Sequence, residues 1–159
     1  LRQAAADQLA VGYHRPSPLV TGLLAESQVG QGKLAAARRT LAAADLRSPA
    51  AREAETRLIL ALAGARLALA AKQPLPARRG LEETLRRFAS SPHPDLLFEA
   101  RGLLAAADLA AGETARGCGA LRSLADTASS QGFALAASQA GSLLRGTSAC
   151  RQAAPPPGG

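Results

Sequence analysis

The feature that most limits the possible folds is a phrase of two helix patterns joined by a glycine turn, which returns after forty residues. Its clearest copy, residues 24–49, reads LAESQVGQGKLAAARRTLAAADLRSP. Alanine, leucine and arginine favour helix on both sides of Gly32, and Pro49 marks a break because proline is excluded from a helix interior. A short glycine turn makes neighbouring helices antiparallel. The phrase therefore predicts a helical hairpin.

A gapless shift by forty residues superposes the turns and the helices of the whole chain. The residues that mark the hairpin turns are Gly32, Lys72 and Gly112. The small residues expected where the first helices pack most closely are Ala25, Ala65 and Ala105. Helix pairs that repeat with such a period form α-solenoids, because each hairpin buries its apolar face only against its neighbours. We expect an all-α fold, an α-solenoid of about three antiparallel hairpins with a terminal capping helix.

Apolar periodicity and proline or glycine breaks give the expected elements. The predicted helices cover residues 18–29, 33–44, 49–71, 76–89, 95–112, 113–130 and 133–144. The predicted organisation is the end of a preceding helix and a proline linker at 1–16, a helical-repeat domain at 17–146, and a disordered Pro/Gly tail at 147–159. Because the chain begins at Leu1, we expect a further segment before it.

The amino-acid composition further limits the possible fold classes. Aromatic residues make up only 3% of the chain, and valine, isoleucine and threonine are too sparse for a sizeable sheet. The most apolar run, 58–71, is broken by Arg66 and is too short and alanine-rich to span a bilayer. The net charge of +7 comes almost entirely from arginine, which together with abundant alanine, glycine and proline indicates a GC-rich bacterial genome.

Few residues suggest a catalytic or metal-binding role. His14 and His93 each lie in a proline-rich turn without a partner at metal-ligand spacing. Cys118 and Cys150 have no CxxC or histidine neighbour, so we expect no disulfide framework, no zinc site and a reducing cytoplasm. Cys118 is better explained as a small buried apolar residue than as a nucleophile. We therefore expect no enzyme activity, no metal and no cofactor.

The best copy of the phrase resembles a tetratricopeptide repeat. The family pattern of small residues, turn glycine and closing proline is matched by Leu24, Ala25, Gly32, Ala37, Leu41, Ala44 and Pro49. The chain departs from the pattern at Gln28, where the family prefers an aromatic, and in later copies at Thr84, Gly117 and Leu124. Residues 120–140, with the run QGFAL, resemble the end of repeat regions attached to bacterial winged-helix regulators and eukaryotic-like Ser/Thr kinases.

The resemblance implies that first helices line a concave binding surface and second helices the convex side. The candidate partner contacts on the first-helix side are Glu26, Gln28, Arg52, Glu55, Arg66, Glu99, Arg101 and Asp108. The second helices carry a series of arginines at Arg38, Arg39, Arg78, Arg79, Arg86, Arg87, Arg116 and Arg122. A basic stripe can bind phosphates, but aromatic stacking partners are absent, so a solvated face is favoured over a nucleic-acid surface.

These patterns indicate a non-catalytic scaffold that binds a protein segment or another domain of its own chain. This inference passes from fold to role, and the fold alone does not specify the partner. One alternative is a sensory or regulatory segment of a larger signalling protein, a transcription regulator or Ser/Thr kinase, whose effector part precedes Leu1. A basic nucleic-acid binder is the less favoured second alternative.

Overall fold

The helices follow the predicted order along the chain. The computed structural model describes residues 16–152, and within this range all regular elements are helical, which confirms the all-α class. The helices are α1 Pro18–Gly30, α2 Leu34–Ala42, α3 Ala54–Ala70, α4 Pro74–Arg87, α5 Pro94–Ala110, α6 Thr114–Ser130, α7 Ala134–Gly146 and α8 Ser148–Gln152. A 3-10 turn, Pro49–Arg52, lies between α2 and α3.

The hairpin turns share one backbone geometry. Gly32, Lys72 and Gly112 adopt left-handed φ angles of 72°, 61° and 87°, and Gly132 repeats this geometry with a φ of 81°. After each of these residues the next backbone N–H donates to the carbonyl five residues earlier, over 2.8–2.9 Å. This bond closes the preceding helix, and the left-handed residue reverses the chain. The three predicted hairpin turns are therefore confirmed.

The small residues of the repeat lie where helices approach each other. Ala25, Ala65 and Ala105 are buried in α1, α3 and α5. At Gly117 in α6, an added Cβ would lie 2.7 Å from the Leu109 side chain and 3.0 Å from the Ala105 carbonyl oxygen. Glycine replaces the repeat's alanine at this position because α5 and α6 leave no room for a methyl group.

Packing runs from neighbour to neighbour. Each helix contacts the next one along the chain, and the first helices α1, α3, α5 and α7 also pack on one another in that order. Within residues 16–152, neither α1 nor α2 contacts α5 or any later helix. The two core clusters follow the same rule, since one joins Leu62, Leu81 and Ala100 and the other joins Phe98, Leu121 and Ala140.

The predicted helix at 49–71 is wrong at its beginning. Pro49 starts a 3-10 turn in which the Ser48 hydroxyl accepts a hydrogen bond from the Ala51 N–H. Glu53 then adopts an extended conformation with ψ of 137°, so α3 begins only at Ala54. The carbonyl of Ala51 accepts a hydrogen bond from the Arg57 side chain, which fixes this break against α3.

The C-terminal part differs most from expectation. Residues 148–152 of the segment predicted as a disordered tail instead form α8, which packs on α6 and α7. Cys150 of α8 is bonded to Cys118 of α6 in a disulfide with a Cα–Cα distance of 5.3 Å. The expectation of unpaired cysteines is therefore wrong, although Cys118 is fully buried as predicted. The predicted segment at 1–16, except for Pro16, and residues 153–159 lie outside the described residues.

Candidate functional site

One ion network connects three successive first helices. Arg66 of α3 lies between Glu26 of α1 and Glu99 of α5, and its Nη1 contacts a carboxylate oxygen of each. The distance from Nη1 to the Glu99 oxygen is 2.6 Å. Because these side chains meet across three helices, α1, α3 and α5 present them on a common face. Three of the predicted contact residues are thus brought together.

The network has one cation for two carboxylates. Burial raises the pKa of Glu26, and the neighbouring Glu99 carboxylate raises it further, while the Arg66 guanidinium acts in the opposite direction. About a quarter to a third of each of the three side chains stays exposed. The cluster therefore carries an uncompensated negative charge at a surface that solvent and partners can reach, on a chain whose net charge is +7.

A groove opens on the same face between α5 and α7, and we call it the α5–α7 groove. It encloses about 450 Å³, and its apolar lining includes Phe98, Leu103, Leu124, Ala140 and Leu143. Arg66, Glu99 and Gln139 also line it. A second depression continues it along the two helices, shares Glu99 and Gln139, and adds Asp95 and Leu135. Two large apolar side chains stay exposed there, Leu135 at 72% and Leu143 at 42%.

The repeat register explains why the groove is empty of side chains. Gly102 of α5 stands forty residues after Leu62, which is buried in α3, and Ser142 of α7 follows after another forty. A Cβ on Gly102 would meet only a methyl group of Leu124, at 3.6 Å. The side chain that fills this position in α3 is thus missing from α5, and the space stays open. A comparison of Leu62 with Gly102 in the sequence could have indicated the groove.

Helix α7 departs from the earlier first helices in polarity. Ser138 stands in the register of the buried Leu58 and Phe98, and Arg145 stands in the register of Ala65. Both polar residues are exposed. Terminal units of stacked repeats need a polar outer face, because no further unit covers them. The predicted terminal capping role of α7 stays a prediction, because Ser138 lines the α5–α7 groove and α8 packs on α7.

Gln28 and Asp108 are buried, and both hold hairpins together. The Gln28 side-chain oxygen accepts a hydrogen bond from the Thr40 hydroxyl at 2.8 Å, which joins α1 to α2. Asp108 accepts a hydrogen bond from the Arg116 Nε at 2.8 Å and lies 3.7 Å from Arg78 Nε, so it connects α5 with α4 and α6. Because their polar atoms are used in contacts between helices, we leave both residues out of the candidate binding surface.

The other three predicted contacts lie apart from the groove. Arg101 is exposed on α5, with its guanidinium carbon 5.5 Å from the centre of the Phe98 ring, and it lines a different depression beside α6. Arg52 lies in the 3-10 turn and Glu55 in the first turn of α3, and both are exposed. Neither residue lines the α5–α7 groove.

Much of the arginine series is used within the chain. Arg78 pairs with Glu82 at 2.9 Å, Arg116 pairs with Asp108, and Arg122 donates to the Cys150 carbonyl at 3.2 Å. The hydrogen bond to Asp108 raises the pKa of Arg116. Glu82 faces Arg78, and Arg86 pairs with Glu83.

The remaining candidate chemistry gains no support from the geometry. No group of three or more His, Cys, Asp or Glu residues that could hold a metal ion occurs within residues 16–152. His93 stands at the N-terminus of α5, where its backbone N–H donates to the Ser91 hydroxyl, and His14 lies outside the described part.

None of the helices within residues 16–152 is long and apolar enough to cross a membrane. No known protein family, curated protein or solved structure matches this chain.

Proposed function

We propose that this chain is a tetratricopeptide-like α-solenoid that acts as a non-catalytic scaffold and binds a protein segment in the α5–α7 groove. The neighbour-to-neighbour packing supports the solenoid, because each unit of a stacked array contacts only its neighbours and the first hairpin here does not contact the third. The recurring turn geometry at Gly32, Lys72 and Gly112 supports the repeat.

The observation that carries the binding role is an open apolar groove on the first-helix face. Its volume of about 450 Å³ and its apolar lining with a few polar groups are typical of binding sites. Exposed Leu135 and Leu143 extend the apolar surface, and such patches on a soluble domain commonly mark interaction sites. The second-helix face offers less free surface, because several of its arginines are already paired.

The experiment fills the groove without damaging the fold. Gly102→Leu restores the side chain found at Leu62 in the previous repeat, and its Cβ has room. The matched control is Gly80→Leu, because Gly80 is exposed on α4 and a Cβ there meets nothing within 4 Å. Both changes replace a helical glycine, so each is expected to maintain or raise stability by up to about 1 kcal/mol.

Binding is measured with peptides selected from a random 16-residue display library on the unmodified chain. We expect the selected peptides to lose at least about tenfold in affinity for the Gly102→Leu chain and to retain their affinity for the Gly80→Leu chain. Equal affinity for the two variants, or a selection without binders, would contradict the proposed function.

A further inference from the structure

The walls of the α5–α7 groove limit the conformation of an occupant. Both walls are α-helices, whose backbone N–H and C=O groups are already bonded within each helix. An extended peptide would therefore find no strand edge, and beside the apolar lining only a few polar side chains, such as Arg66 and Gln139, could pair with its backbone groups. A helix satisfies its backbone internally and presents only side chains to such a groove.

The length of the groove fits a short helix. Its two depressions are lined by residues between 95 and 106 on α5 and between 132 and 143 on the side of α7. At 1.5 Å per residue, twelve helical residues cover about 18 Å, or about three turns. Side chains at helical spacing on one face of an occupant of this length can reach the apolar floor at successive turns.

The charge of the groove differs between its two ends. At one end stand Asp95, Glu99 and the adjoining Glu26, with Arg66 as the single cation in contact with two of them. At the other end Arg145 lies beside the groove and donates to the Ser142 hydroxyl at 3.3 Å. The guanidinium of Arg101 lies over the Phe98 ring and lines a different depression. The excess of carboxylates is therefore confined to the end at Asp95 and Glu99.

We infer that the occupant is an amphipathic helix of a partner protein whose apolar stripe ends in a lysine or arginine placed over Asp95 and Glu99. The apolar stripe fills the floor left open by Gly102, and the basic group supplies the second cation that Glu26 and Glu99 lack. This inference rests on the proposed function, to which it adds the conformation and the charge of the bound segment.

The test reads the sequences of the peptides selected from the 16-residue library on the unmodified chain. We expect apolar residues at spacings of three and four, with a lysine or arginine at one end of the stripe. Changing that basic residue to glutamine is expected to weaken binding about tenfold. In the same selection on the Asp95→Lys chain, that end of the groove holds two carboxylates and two cations, so the preference for a basic residue is expected to disappear. Asp95 is exposed in the first turn of α5 and takes no part in the Arg66 network.

The outcomes separate this inference from the proposed function. Some peptides could bind the unmodified chain, lose affinity for the Gly102→Leu chain and carry no basic residue. This result would overturn the inference but still support the groove as the binding site. Peptides without apolar helical spacing would also overturn it. Peptides that bind the Gly102→Leu chain unchanged would overturn the groove itself, whatever their charge.

Discussion

The glycine at the closest approach of α5 and α6 allows a quantitative test of the packing. Gly117→Ala adds a methyl group whose carbon would lie 2.7 Å from Leu109 Cγ, 2.9 Å from Leu109 Cδ2 and 3.0 Å from the Ala105 carbonyl oxygen. The branch point of a leucine and a backbone oxygen cannot both move aside cheaply, so the helices must separate. Overpacking of this kind costs about 1–3 kcal/mol.

Gly119→Ala in the same helix is the matched control. Gly119 is exposed, and a Cβ there meets nothing within 4 Å. Each substitution gains about 1 kcal/mol because alanine favours helix over glycine. The propensity gain cancels between the two variants, so the difference in their free energies of unfolding isolates the steric cost.

Urea unfolding followed by circular dichroism at the helical band measures both variants. We expect Gly119→Ala to be about 1 kcal/mol more stable than the unmodified chain, and Gly117→Ala to fall about 1–3 kcal/mol below Gly119→Ala. The m-value should stay constant, since neither change alters the surface exposed on unfolding. Two variants of equal stability would refute the close packing of α5 on α6.

Three further changes test the disulfide, the ion network and one turn. Cys150→Ala removes a cross-link over a sequence separation of 32 residues, and loop entropy predicts that the free energy of unfolding falls by about 3.7 kcal/mol. A melting temperature that stays the same both in this variant and in the unmodified chain with reductant would contradict the prediction. Arg66→Met removes the cation that Glu26 and Glu99 share and raises the folded-state pKa of Glu26 further, because the guanidinium no longer lowers it. The stability of this variant is then retained below the unfolded carboxylate pKa of about 4.3 and is lost as pH rises through the raised folded-state pKa. Its urea midpoint should therefore fall further below that of the unmodified chain between pH 4 and pH 7. A difference in midpoint that does not change with pH would argue against the network. Lys72→Gly relieves a left-handed φ of 61° and should raise the free energy of unfolding by about 0.5–1 kcal/mol, whereas a loss in urea midpoint would oppose this assignment.

Local signals in the sequence were sufficient for the helical framework. Glycine or proline at a turn acts on its own backbone, so the turns at Gly32 and Gly112 and most helix limits follow from nearby residues. The break at Glu53 was missed because it depends on the Ser48 cap and on Arg57, which reaches back to the Ala51 carbonyl. Its cause lies in contacts rather than in propensity.

Contacts between helices were harder to predict. Arg66 and Glu26 are exactly one repeat apart in register, yet their pairing requires α1 and α3 to pack side by side. The disulfide depends on the packing of α8 against α6, and two isolated cysteines give no local sign of it. The burial of Asp108 likewise follows from arginines on two other helices. In the sequence alone these side chains cannot be told from exposed polar residues, because their partners lie on other helices.

The proposed binding of a partner helix at the α5–α7 groove on the first-helix face can be tested by solution NMR. The most direct measurement is the amide chemical-shift change of the full chain on addition of a selected peptide. We expect the largest changes in residues 95–106 of α5 and 132–143 at α7, with α2 and α4 unaffected. Largest changes on α2 and α4, with the groove residues unchanged, would contradict it.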